Sequence, residues 1–164
     1  MDDTGMVPLA DELAALFRRD ITRLIQQLQA FPDANALWQT APGITNSAGN
    51  LTLHVEGNLR EYIGRQLGDV PYQRRREQEF APTGLTPGDL IQRIESMKEL
   101  IPSVILSLSS PRLEAAYPEN VFGAALSTQQ YLIHLHGHLN YHLGQIDYLR
   151  RFLTNGAAVR FAGL

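Results

Sequence analysis

The sequence predicts an all-α fold, a four-helix bundle with long connections, in one domain spanning residues 1–164. Three observations predict the helices. Four stretches carry apolar residues at three- and four-residue steps, the period of a helix that buries one face. Capping or helix-breaking residues punctuate the ends of those stretches. The segments between them contain Pro and Gly and are longer than a minimal bundle needs.

The first helix is expected from about Pro8 to Ala30, with Leu13, Leu16, Phe17, Leu24, Ile25 and Leu28 on its stripe. Pro8 suits a first turn, and Pro32 helps to stop the helix. The second is expected from about Asn46 to Leu67. Its stripe is Leu51, His54, Val55, Asn58, Leu59 and Tyr62, and Gly68 is placed as a left-handed cap. The third runs from about Thr86 to Leu108, with Thr86 as N-cap, Pro87 in the first turn and Asp89 near the positive helix end. Pro102 should kink it. The fourth runs from about Ser127 to Leu153 and ends on Asn155-Gly156. In the last connection, Leu113–Tyr117 and Val121–Leu126 could pair as a short hairpin. The apolar tail, with Val159, Phe161 and Leu164, should dock on its own or a neighbouring subunit.

Composition narrows the function. With 44% hydrophobic and 19% charged residues the chain suits an ordered globule. A net charge of -3 offers no general attraction to nucleic acid. The short basic runs Arg74-Arg75-Arg76 and Arg150-Arg151 read as solvated surface. No apolar run is long enough to span a bilayer, so no membrane partner is expected. The acidic Met1-Asp2-Asp3-Thr4 start lacks a signal-peptide pattern, and the expected location is cytoplasmic. There is no cysteine, so any metal must be held by nitrogen and oxygen.

Histidine placement points to such a metal. Of five histidines, four lie on the fourth helix at His134, His136, His138 and His142. A four-residue step turns about 40° beyond a full revolution, so His138 and His142 are neighbours on adjacent turns. They share a face with Leu135, Gln145, Ile146 and Leu149. His136 faces roughly the other way and reads as surface, and His134 as a residue of the mouth or surface. His54, on the apolar stripe of the second helix, is the remaining nitrogen donor. Three imidazoles with an open position suit one divalent ion, with zinc or nickel first and iron or manganese next. Gln145, one turn from His142, and Asn58, one turn from His54, are placed to support the ligands.

The segments Leu51-Thr52-Leu53-His54-Val55-Glu56-Gly57-Asn58-Leu59-Arg60 and His138-Leu139-Asn140-Tyr141-His142-Leu143-Gly144-Gln145-Ile146 resemble the two signatures of the DinB-like (YfiT-like) metal-dependent superfamily. The resemblance covers nearly the whole chain in helix order and is weak in the loops. It implies a four-helix bundle with a long crossover, often dimeric, with an ion on His54, His138 and His142 and a glutamine at Gln145. Characterised members include transferases and isomerases that use low-molecular-weight thiols such as bacillithiol or mycothiol. The resemblance therefore implies a thiol-dependent transferase, in which the open metal position stabilises a thiol as thiolate and Arg60 could hold a carboxylate of that thiol. The alternatives are a metal-dependent hydrolase, for which Glu56 points away from His54, and a non-catalytic metal-braced dimer. A homodimer is expected also because Leu132, Leu139 and Leu143 spread around the fourth helix beyond its stripe.

Overall fold

A computed structural model describes residues 8–81 and 83–160 of the chain. Pro82 and the tail residues Phe161 and Leu164 lie outside the described residues. Four long helical rods form the bundle: α1 (Leu9–Gln29), a rod that begins with α3 (Ala48–Leu59), α6 (Pro87–Leu106) and α8 (Thr128–Thr154). Short helices occupy the connections: α2 (Ala34–Trp38), α5 (Arg76–Glu79) and α7 (Ser110–Glu114). The α3 rod continues as a π-helix over Arg60–Arg65 and closes with α4 (Gln66–Gly68). Ala116 and Ser127 form an isolated antiparallel bridge where the hairpin was expected. α7 takes up Leu113 and Glu114, and the pairing that remains stops at this one bridge.

The helix ends follow from their sequences. Ser47 and Asn50 form a capping box at α3, and Thr86 and Asp89 form another at α6. Ser127 accepts from the Gln130 amide at the start of α8, and Asn155 ends it in a left-handed conformation. Pro8 sits at the N-cap of α1, just outside the helix. The left-handed cap expected at Gly68 falls instead on Asp69, with φ 52°. Gly68 is helical, and a Cβ there would come within 2.5 Å of Val104. Its small size lets α4 lie close to α6.

Going round the bundle the order is α1, α6, α3, α8. α1 and α3 thus occupy opposite corners, as do α6 and α8. Each of those connections must cross the bundle end, which explains their length. Phe17, Ile21, Leu24 and Leu28 of α1, Ile94, Met97 and Ile101 of α6, and Leu135, Leu139 and Ile146 of α8 fill the core. α8 also packs on α2 and α7. Leu132, Leu139 and Leu143, expected to form an exposed patch, are therefore all buried.

Buried polar ties pin α1 to α8. Arg150 donates to Gln27 Oε1 at 2.8 Å, and Gln27 donates to Asp147 at 2.9 Å. Arg150 is only 2% exposed, which corrects its reading as solvated surface. Asp20 is fully buried and accepts from Arg19, Arg23, Asn140 and His136, the last at 2.8 Å. His136 is thus a half-buried structural partner and not a surface residue, because its side of α8 faces α1. Burial alone would raise the Asp20 carboxyl, but the bonds from His136, Arg19 and Asn140 outweigh it and hold the group well below the usual carboxylate range. A depressed folded pKa contributes stability that is present above about pH 4 and is lost as pH falls below it. Asp20→Asn should cost about 2 kcal/mol near neutral pH and flatten the acid limb of the stability curve, which urea titrations at pH 7 and below pH 4 would read.

Candidate metal centre

The α3 rod and α8 run side by side, and His54 meets His138 and His142 across their contact. One ligand atom from each of the three lies within 4.8 Å of the others. His138 Nε2 is 3.2 Å from His54 Nε2 and 3.1 Å from His142 Nε2. His54 is buried, and His138 and His142 are half-buried.

The opposite ring nitrogens determine what these Nε2 atoms can be. His54 Nδ1 donates to Glu79 Oε2 at 2.9 Å, since a carboxylate only accepts. His142 Nδ1 donates to Gln145 Oε1 at 2.7 Å. Both rings thus turn an Nε2 lone pair inward. His138 Nε2 has at most one hydrogen to share between them. Burial, and then the proximity of His142, His54, His134 and Arg74, which would oppose a second positive charge, pushes His138 down to about 4. Burial likewise lowers His142, more than its bond to Gln145 raises it. His138 is neutral at pH 7 and has a lone pair to give.

Such a cluster fits a cation. Two nitrogens about 2.1 Å from one tetrahedral divalent ion would be about 3.4 Å from each other. The two separations here, 3.2 Å and 3.1 Å, are close to that value. Neutral imidazoles at this spacing with inward lone pairs repel or remain unsatisfied without a positive centre, at about 1–3 kcal/mol per buried group.

Glu79 was not legible as part of this site. It sits on α5, inside the Pro-containing connection, and is 5% exposed. Arg74 donates to its Oε1 at 2.7 Å and to its Oε2 at 2.9 Å. Burial raises the Glu79 carboxyl, but the bonds from His54 and Arg74 overcome it and keep the group below its ordinary range. A carboxylate behind a ligating histidine fixes its tautomer and raises its basicity. Arg74 is therefore a half-buried ion-pair partner and not solvated surface. Gly57 makes room for this arrangement: a Cβ there would overlap Glu79. A buried helical glycine three residues after His54 was the one sequence signal that something approaches closely.

The other candidate residues sit further out. Asn58 is 8% exposed and its Oδ1 is buried without a hydrogen-bond partner, one turn from His54. His134 is exposed and packs on Phe122 and Tyr131, its ring 6.5 Å from that of His138. Arg60 donates to Glu56 Oε1 at 2.9 Å, to Ser96 Oγ and to the Arg93 carbonyl. A carboxylate within the chain thus already engages the guanidinium suggested for a thiol's carboxylate. Glu56 is buried and also accepts from Arg93.

The chain aligns with the crystal structure of a DinB-like protein from Bacillus cereus ATCC 10987 at a TM-score of 0.68, over 93% of this chain and 95% of that one. The fold is DinB-like. Sequence identity in this alignment is 13%, a level that carries the architecture and not the activity. No protein-family model matches the sequence, and no curated protein matches it. The three-histidine group thus stands on a DinB-like bundle and could hold a metal ion. No described helix is long and apolar enough to cross a membrane.

Gln145 offers a graded test of the site. It is exposed, so its loss should not disturb the core. Gln145→Ala removes the acceptor that orients His142 and should weaken metal affinity about 10-fold or more. Zinc titration by calorimetry reads this. Unchanged affinity would reduce the Gln145 bond to a surface contact.

Proposed function

We propose that the chain is a DinB-like metal-dependent enzyme that transfers a low-molecular-weight thiol to an electrophile, with one divalent ion on His54, His138 and His142. The observation that carries this reading is the convergence of three Nε2 atoms, with the outer nitrogens of His54 and His142 held by Glu79 and Gln145. A zinc or nickel ion there would supply Lewis acidity and lower the pKa of a thiol that reaches it. Glu79 keeps His54 in the donor tautomer, and Gln145 does the same for His142. Transfer forms a bond from the thiol sulfur to an electrophilic carbon. The leaving group departs with its electron pair, and the thiol proton goes to solvent.

The carboxylates favour transfer over hydrolysis. A hydrolase needs a base to take a proton from water. Glu56 is committed to Arg60 and Arg93, and Glu79 to His54 and Arg74. A cosubstrate that brings its own nucleophile fits that arrangement better. The test is metal content and the rate at which cysteine or another small thiol reacts with chlorodinitrobenzene. Activity that disappears on chelation and returns with zinc or nickel supports the transferase. Activity that survives chelation refutes it. Bound metal without activity leaves the non-catalytic, metal-braced reading.

A homodimer is part of the proposal on narrower support than the sequence suggested. With Leu132, Leu139 and Leu143 buried, its helical contact centres on Ile133, which is 56% exposed on α8. Gly137, one turn on, is an exposed helix-interior glycine with nothing within 4 Å of a Cβ, so no neighbour in the same chain calls for its small size. Sedimentation at micromolar concentration should give twice the chain mass. A monomer mass would remove the dimer.

A further inference from the structure

We infer that the cavity beside His142 and Gln145 seats the body of the electrophilic substrate, and that this body is uncharged and aromatic or otherwise apolar. The inference deepens the metal-dependent reading and rests on it, because His142 joins the cavity to the three-nitrogen cluster. The cavity measures ≈ 710 Å³, within the range of about 300–1,000 Å³ typical of small-molecule sites. One wall is the connection between α2 and α3, at Pro42 and Ile44. The other is the second half of α8, where Tyr141, Tyr148 and Phe152 follow at steps of seven and four residues. Gly43, with φ 80°, turns the first wall in a conformation that suits glycine.

Exposure singles this cavity out. Eight large apolar side chains are exposed among the described residues, and four of them line it: Ile44, Tyr141, Tyr148 and Phe152. Tyr148 and Phe152 are 74% and 73% exposed, so the protein's own packing does not account for them. Apolar surface gathered in a concavity marks a ligand site more than a chance scatter does.

The wall chemistry selects the ligand class. Lys, Arg, Asp and Glu are absent from the lining residues. Arg151, whose guanidinium lies 5.5 Å from the Tyr148 ring, is paired with Asp147, so a carboxylate or phosphate seated on the aromatic wall, away from the ion, would gain no free counter-charge. A thiol that carries carboxylates is a poor occupant, which leaves the cavity to its electrophilic partner. Gln145 uses its Oε1 on His142 and retains its amide hydrogens for an acceptor on the ligand. An apolar body held by the aromatic rings, with a carbonyl, ether or nitro oxygen at Gln145, would set its polar end beside His142.

The experiment uses the neutral probe N-phenyl-1-naphthylamine with the full-length protein. Its fluorescence should rise saturably with one site per chain. Tyr148→Ser and Phe152→Ser should each raise Kd about 5-fold, the loss of one aromatic contact. Leu106→Ser, at the exposed end of α6 and outside the cavity, should leave Kd unchanged. The anionic analogue 8-anilinonaphthalene-1-sulfonate should bind about 10-fold more weakly for want of a free counter-charge on the aromatic wall. Absence of saturation, equal loss with Leu106→Ser, or equal affinity for the sulfonate overturns the inference. Zinc titrated into the same preparations separates the two levels of the argument. Zinc binding without probe binding removes the cavity and spares the metal-dependent function. Probe binding without zinc binding removes that function and the substrate role with it, and leaves a ligand site.

Discussion

His138→Ala should abolish stoichiometric metal binding while the protein remains folded. His138 is the middle nitrogen of the cluster, within 3.2 Å of both others. Structural zinc sites with four ligands bind with about 10–16 kcal/mol, or about 2.5–4 kcal/mol per ligand. At 1.4 kcal/mol per decade, loss of one ligand weakens binding on the order of 100- to 1,000-fold. The thermal midpoint of the parent should rise with added zinc, since a ligand at 100 times its Kd adds about 2.7 kcal/mol. The variant's midpoint should not move. Without metal the difference should reverse at mildly acidic pH. Folding lowers His138 from the ordinary imidazole value of about 6.5 to about 4. Between those values the unfolded chain binds more protons, so the metal-free parent loses stability as pH falls through that window. Removing His138 removes that loss. A variant that still gained thermal stability from zinc would show that the ion binds elsewhere.

The bundle was legible because its four rods obey one period. Phe17, Leu24 and Leu28, or His54, Asn58 and Tyr62, recur at steps that only a helix places on one face. The capping boxes at Ser47 and Thr86 are local chemistry and can be read locally. His138 and His142 were legible for the same reason, being one turn apart on one element. Glu79 and Arg74 were not, because they come from a connection with no periodicity. Their meeting with His54 is a property of the tertiary fold. The error over Leu132, Leu139 and Leu143 has a related cause. A one-stripe reading assumes a helix with neighbours on one side, and α8 has α1, α2, α3 and α7 around it. The π-helix over Arg60–Arg65 left no signal in the sequence either. It shifts the local register just after the helix that carries His54, and Tyr117 donates to the carbonyl of Tyr62 within it at 2.7 Å.

Gly57→Ala should both destabilise the fold and loosen the metal, although alanine favours helices. In an open helix interior the change would add about 1 kcal/mol of stability. Here the new Cβ would overlap Glu79 Oε1 and lie 2.9 Å from its Cδ. The end of a glutamate usually swings away at little cost. This one is buried and bonded to His54 Nδ1 and twice to Arg74, itself 12% exposed at the side chain. Displacing it leaves a half-buried guanidinium without its carboxylate, a loss of about 1.5–3 kcal/mol that exceeds the helical gain. It also frees His54 to rotate or change tautomer, which should weaken metal binding about 10- to 100-fold. Gly64→Ala is the control, on the same rod, where a Cβ meets only Leu100 at an ordinary 3.6 Å. Urea unfolding and zinc calorimetry on the two variants separate the causes. The expected pattern is loss of stability and affinity for Gly57→Ala and neither loss for Gly64→Ala. Full metal affinity in a destabilised Gly57→Ala would mean that Glu79 braces the fold without orienting His54. Full stability with weakened metal would mean that Arg74 finds water once Glu79 moves aside.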